Sequence, residues 1–323
     1  MSGQVVVVGG IGLEETVHVR RVVVDRSVEV AERVATTVGG AAAWACVAAA
    51  AAGAAVRCVA AVGTDRAGVL CRQHLARADV DVTGVLPLEG ATTRLIRRSA
   101  AGAAEVGSTG ALSEDPADSS LLILPGAGWP TQGLQTERVL GRCEPGDVLL
   151  IEWSALPDAD GLVRAAYERD MQIMVLLAPY PVSPFPIDLR LVDVAVVDRA
   201  GAALLADAGE LPGSLCVTLP GYGLSWDGQT SVAPVAKGLS TAAVVTDERG
   251  HAVLAGTIAG RLACGDDRPQ AAQGALSAAG QLVVTSDDPG MTGAVSASAE
   301  PGSAAWLNLR PWAHLRLDVE ELG

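Results

Sequence analysis

Residues Gln4 to Val8, QVVVV, form a short apolar run that ends in Gly9-Gly10. A strand with no polar face needs a covering layer on both sides, which is the pattern of a buried strand in an α/β domain feeding a turn. Gly10-Ile11-Gly12 resembles the start of a dinucleotide fingerprint. Glu15 stands where its third glycine belongs and no helical pattern follows, so the Rossmann reading is set aside.

The chain then changes period. Thr16 to Val38 alternates apolar and polar residues, as antiparallel strands standing off the main body do. Gly39-Gly40 opens a helix, AAAWACVAAAAAG, closed by Gly53, with Trp44 in its first turn. Trp44 reads either as core filler or as the wall of a crevice at a strand end. Val56 to Val62 is expected to be a strand, Val69 to Arg77 a helix, ADVDVTGV a further strand, and Thr92 to Val106 a hairpin turning near Ala101-Gly102.

Composition limits the functions open to such a chain. The 323 residues, half of them hydrophobic, suffice for a sizeable core, with Ala, Val, Leu and Gly doing the packing because only 3% are aromatic. A net charge of −14 argues against unspecific binding to nucleic acid or to an anionic membrane. Six scattered cysteines without a CxxC pair read as buried reduced thiols of a cytoplasmic protein. The start, MSGQ, runs into a strand with no basic leader or cleavage site, and the Ala-rich run 41–55 is too short to span a bilayer. No Gly-x-Ser-x-Gly elbow or Walker A sequence occurs.

Taken in order, VVVVGGIGLEETVHV, TTVGGAAAWACVAAAAAG and CVAAVGTDRAGVLCRQHLARADVDVTGV resemble the first half of a ribokinase-like (PfkB family) carbohydrate kinase. The likeness continues through LLILPGAGWPTQGL, GDVLLIEWSAL, VLLAPYPVSPFP, LVDVAVVDRAGAALL and CVTLPGYGLSWDG to VVTDERGHAVLAGTIAGRL. It spans roughly residues 4 to 290 and leaves the tail 291–323 less well covered. It implies one α/β domain over 1–323, a three-layer α/β/α sandwich with a mostly parallel sheet. A small β lid is expected at about 12–38 and 91–110, a homodimer contact through that lid, and phosphoryl transfer from ATP with Mg²⁺ to a sugar or nucleoside hydroxyl.

The family's DTTGAGDAF, with its second Asp as base, falls on Val245 to Val253. His251 takes the base position, and Glu248, Arg249 and Gly250 replace the Gly-Ala-Gly cradle. The turn Asp247 to Gly250 is expected to run into a small apolar helix beginning near His251, and helix N-termini bind phosphates through free N–H groups. A carboxylate ~4 Å from a phosphate charge, at an effective dielectric of ~20, opposes it by about 4 kcal/mol. A shift of the alignment by a few residues would make Asp247 the base, with Arg249 meeting the phosphate.

The Mg²⁺-associated NxxE falls on Asp198 to Gly201, keeping one oxygen ligand and losing the Glu. The nucleotide-side TLGxxG falls on Thr218 to Gly223, where Pro220 removes a donor and Tyr222 adds bulk; the Asn of NPAP becomes Ala178. On the sugar side Glu14 matches an Asp, Trp44 matches the Asn of GGKGAN, Glu152 matches a carboxylate that touches the sugar, and Gly39 and Gly40 remain. Such a pocket suits a flat, apolar or cationic ligand better than a free pentose.

Two functions follow from these residues. One is a small-molecule binding protein, or a repurposed enzyme, that keeps the fold and has lost phosphate transfer. In it His251 either fills the vacated site or serves as an acid or base oriented by Glu152 or Glu14. The other is an ATP- and Mg²⁺-dependent kinase with unusual residues. No nucleic-acid or membrane partner is expected. His18 and His74 read as solvated or packed, His314 has no metal-ligand spacing, Asp266-Asp267 and Asp287-Asp288 read as exposed loop pairs, and WLNLRPW (306–312) fits either an edge strand or a contact surface.

Overall fold

Each strand of the first apolar run sends alternate side chains into two different cores. In the computed structural model, Val5 and Val7 of β1 (Gln4–Val8) pack into one buried cluster and Val6 and Val8 into another. β8 (Val148–Glu152) and β9 (Gln172–Leu176) divide their side chains the same way. The sheet is therefore the middle of three layers. The structure describes residues 3–19, 30–31, 33–100, 119–127, 136–178, 185–209, 211–219, 223–232 and 248–287.

The large sheet has nine strands in the order β13-β12-β11-β10-β9-β8-β1-β4-β5. Here β4 is Ala55–Gly63, β5 Val80–Leu88, β10 Val194–Val197, β11 Leu215–Leu219, β12 Gly223–Trp226 and β13 Gln229–Val232. All neighbours are parallel except the terminal pairs β11–β12 and β12–β13. One face carries α1 (Ala41–Ala51), α6 (Glu248–Ala263) and α7 (Arg268–Asp287); the other carries α4 (Asp160–Tyr167).

The alanines of α1 serve a helix more than the sheet. A Cβ at Gly256 of α6 would lie 2.2 Å from the Ala45 carbonyl oxygen, and one at Gly260 2.7 Å from that of Ala49. Glycine on one helix and alanine on the other let the two backbones touch. Gly40, with φ 91°, turns the chain into α1.

The smaller sheet has the order β3-β2-β6-β7, from β2 (Gly12–Val19), β3 (Arg33–Gly39), β6 (Arg94–Ala100) and β7 (Ser119–Leu124). It contains the expected lid but extends it. The expected hairpin within 92–106 is not the pairing found. Over residues 94–99 β6 pairs with β2 on one edge and with β7 on the other. The return strand is Ser119–Leu124, and the expected turn at 101–102 lies outside the described residues.

Two helices start earlier than their apolar pattern suggests. α2 runs Arg66–Arg77, not from Val69, because the Asp65 carboxylate caps it by accepting from the Gly68 amide at 3.0 Å. The same carboxylate accepts from the amide and hydroxyl of Thr92, which fastens the root of the lid to the body. Burial acts to raise the Asp65 pKa, but these hydrogen bonds outweigh it and lower it. α6 is already helical at Glu248, so Glu248, Arg249 and Gly250 form its first turn instead of a loop before it.

Candidate functional site

In an open parallel sheet, the crevice beyond the carboxyl ends of the strands is where side chains converge on a ligand. Glu152 ends β8, Ala178 follows β9, Asp198 follows β10 and Thr218 lies near the end of β11. The lid stands over this edge, with α6 and α1 beside it.

The centre of the arrangement is a buried group of alternating charges. Glu14 of β2 accepts from Arg97 Nε of β6 at 2.8 Å, and Arg97 Nη2 reaches Glu248 Oε2 of α6 at 3.4 Å. Arg249 Nε lies 3.7 Å from Glu14 Oε1, and its guanidinium sits over the Trp44 ring, 5.8 Å from the centroid. The side chains of Glu14, Arg97 and Glu248 are at most 6% exposed, and that of Arg249 is 18% exposed. Charges buried this deeply persist only when paired. A Cβ at Gly39 would fall 2.4 Å from Glu14 Oε2, so the bare backbone of Gly39 is what leaves room for that carboxylate. Gly40 crosses Gly10 equally closely.

His251 is buried and faces Thr218, with Nε2 2.9 Å from Oγ1. The Thr218 hydroxyl donates to the Val197 carbonyl at 3.2 Å. The Thr218 hydroxyl thus lies between the His251 ring and the Val197 carbonyl, and the imidazole tautomer decides which partner donates in the 2.9 Å contact.

Glu152 is engaged elsewhere. Oε1 accepts from the Gly10 amide at 2.6 Å and from the Ser154 hydroxyl, and Oε2 accepts from the Ser154 amide at 3.0 Å. The glycine of the first strand's turn makes this possible, since a Cβ at Gly9 would lie 2.0 Å from Glu152 Cγ. Burial pushes the Glu152 carboxyl above its ordinary range, and the Ser154 and Gly10 bonds pull it partly back. The expected orientation of His251 by Glu152 is thus not what the chain builds.

Asp198 caps α5 (Arg199–Ala208), accepting from the Gly201 amide at 2.7 Å. Gly223 opens β12 with φ 134°, and Gly250 is buried in the first turn of α6. Asp247, Pro220, Tyr222 and the tail 291–323 lie outside the described residues. Among the described residues, no group of three or more His, Cys, Asp or Glu is arranged to hold a metal ion, and no helix is long and apolar enough to cross a membrane.

Sequence reasoning missed Arg97 and Thr37. Thr37 is the cross-strand partner of Glu14, so it shares the inner face of the lid. It is 8% exposed, and among the described residues its Oγ1 has no hydrogen-bond partner.

Residues 4–115 match the pfkB family of carbohydrate kinases. Among solved structures, the ribokinase of Cryptococcus neoformans in complex with ADP superimposes with a TM-score of 0.68, at 18% identity, over 86% of this chain and 93% of that one. The fold is ribokinase-like. The Arabidopsis thaliana ribokinase complexed with ribose and ATP matches this ribokinase-like chain at TM-score 0.66 and 16% identity, over 86% and 92% of the two chains. The Burkholderia thailandensis nucleoside kinase in complex with inosine gives 0.62 and 12%, over 85% and 89%. No curated protein matches the sequence.

Proposed function

We propose that this ribokinase-like chain is a small-molecule binding protein, or a repurposed enzyme, in which ordinary ATP-dependent transfer of phosphate to a sugar has been lost. The observation that carries the reading is the buried Glu248 carboxylate in the first turn of α6, the turn that the family resemblance assigns to the transferred phosphate. Its side chain, paired with Arg97, takes up the helix end that would otherwise attract a phosphate.

Three further features support it. The residue at the base position, His251, is buried, with Nε2 2.9 Å from the Thr218 hydroxyl. Asp198, the retained oxygen of the Mg²⁺-associated motif, serves as a helix cap, and Gly201 supplies no second carboxylate. Trp44 and Arg249 put an apolar ring and a cation where a hydroxyl-binding amide and a glycine-rich turn are expected. The described residues therefore do not fit a Mg²⁺–ATP complex.

On this reading the ligand site is formed by Glu14, Gly39, Gly40, Trp44 and Glu152 with Arg249 and His251 at the helix end, in one domain covered by the lid. The protein is cytoplasmic and pairs with a second copy through the lid. Val34, Leu122 and Leu124 support that pairing. They are 51%, 56% and 42% exposed and share the lid face opposite Glu14. Calorimetric titration with ATP and Mg²⁺, beside a turnover assay on ribose and inosine, tests the central point. No binding and no turnover are expected, and turnover of either compound would restore the kinase reading.

A further inference from the structure

The charged group at the site joins two separate bodies. Glu14 and Arg97 belong to the lid sheet, whereas Glu248 and Arg249 belong to α6. The contacts cross: the lid's Arg97 reaches the helix's Glu248, and the helix's Arg249 reaches the lid's Glu14. Within the lid, Arg97 also holds Glu14. At 3.7 Å between Glu14 Oε1 and Arg249 Nε, no ligand atom fits between these two groups.

We propose that these crossed ion pairs are a latch, by which the chain closes its own lid over an occupant made of its own side chains. The inference rests on the site reading above, since it takes Glu14 and the first turn of α6 as the walls of the ligand site. Entry requires Arg97 to part from Glu248 and Arg249 from Glu14, and each separation exposes a charge that has been buried. Arg249, the most exposed of the four, is the outermost part of the latch. Arg97 and Glu248 are positioning residues in this device, acting on access to the site.

Thr37 supplies the reporter. It lies on the inner lid face beside Glu14, is buried, and makes no hydrogen bond through Oγ1 among the described residues. Thr37→Cys therefore removes no described bond and places a thiol behind the latch. Its rate of labelling by a maleimide, read peptide by peptide by mass spectrometry, measures lid opening. Cys46, Cys58, Cys71 and Cys216 are buried in the body and report global unfolding in the same sample.

Adding Glu248→Gln, which keeps shape and removes charge, is expected to speed labelling of the introduced thiol about a hundredfold, while the four buried cysteines label as before. If the single variant does not fold, Arg97→Met with Glu248→Gln removes both partners and gives the same readout. Labelling unchanged within about twofold would overturn the latch, since a tenfold change is the least that ~1.4 kcal/mol produces. Equal acceleration at the introduced thiol and the buried cysteines would also overturn it, because the pair would then be a stability element only. Nucleotide is absent throughout, so this result is separate from whether ATP binds.

Discussion

His251 Nε2 and Thr218 Oγ1 stand 2.9 Å apart in the closed interior, and the same hydroxyl lies 3.2 Å from the Val197 carbonyl oxygen. The histidine that the family resemblance puts at the base position is thereby part of a hydrogen-bonded chain from α6 to β10. Thr218→Val removes the hydroxyl and leaves a buried imidazole nitrogen without it, so it should destabilise the fold by about 1–3 kcal/mol in urea denaturation. Combined with His251→Leu, the effect should be less than the sum of the two singles. Additive losses would mean that the two side chains do not act as a pair.

Glu152 carries a pH signature. Its native pKa is raised, with burial as the first cause. The folded state then holds this proton at a pH where the unfolded chain has released it. The resulting contribution is full below the ordinary carboxylate range and is lost as pH rises from there through the raised native value. Glu152→Gln should abolish that part of the slope and destabilise at every pH, because an amide presents a donor to the Gly10 or Ser154 donors. A slope of wild-type steepness in the variant would assign the titration to another group.

Backbone contact between α1 and α6 makes a sharper demand. At Gly256 the neighbour is the Ala45 main chain, which has no rotamer to change. Gly256→Ala should lower stability by about 1–3 kcal/mol or more, well beyond what helix propensity alone would return in favour of alanine. A stabilised variant in thermal denaturation would show that the helices are not in contact there.

Thiol chemistry follows burial. Cys264 is exposed and Cys143 half-buried, whereas burial raises Cys46 and pushes Cys71 and Cys216 up to about 12. Cys264 should be the first to react with a thiol reagent at neutral pH, with Cys143 slower, and all six only in denaturant. Rapid native reaction at Cys71 or Cys216 would contradict this core.

Much of this was legible because local chemistry and fold agree. QVVVV could only be a two-sided strand, and Gly39-Gly40 with Gly53 could only bracket a helix. Glu14, Trp44 and Glu152 could be singled out because ordered motifs carry their positions. Arg97 was not, because it belongs to no motif and is one of three arginines in RLIRRS. Its sole signal is that it shares a strand face with Leu95, and that face is known to be buried only once β6 is seen between β2 and β7. The return strand of the lid was missed for a related reason: it lies beyond residues 101–118, and sequence proximity favoured a nearer partner. The role of Gly9 depends on Glu152, 143 positions away, which no local pattern reports.

The central claim is that the first turn of α6 no longer accepts a nucleotide phosphate, and calorimetric titration of the purified protein with ATP and Mg²⁺ tests it most directly. A ligand at ~100 times its Kd stabilises the native state by about 2.7 kcal/mol, so a thermal-shift scan on the same sample would reveal real binding. The account predicts no heat and no shift at millimolar ATP. Saturable binding at micromolar ATP would contradict it, and would mean that Arg97 and Arg249 outweigh Glu248 at that helix end.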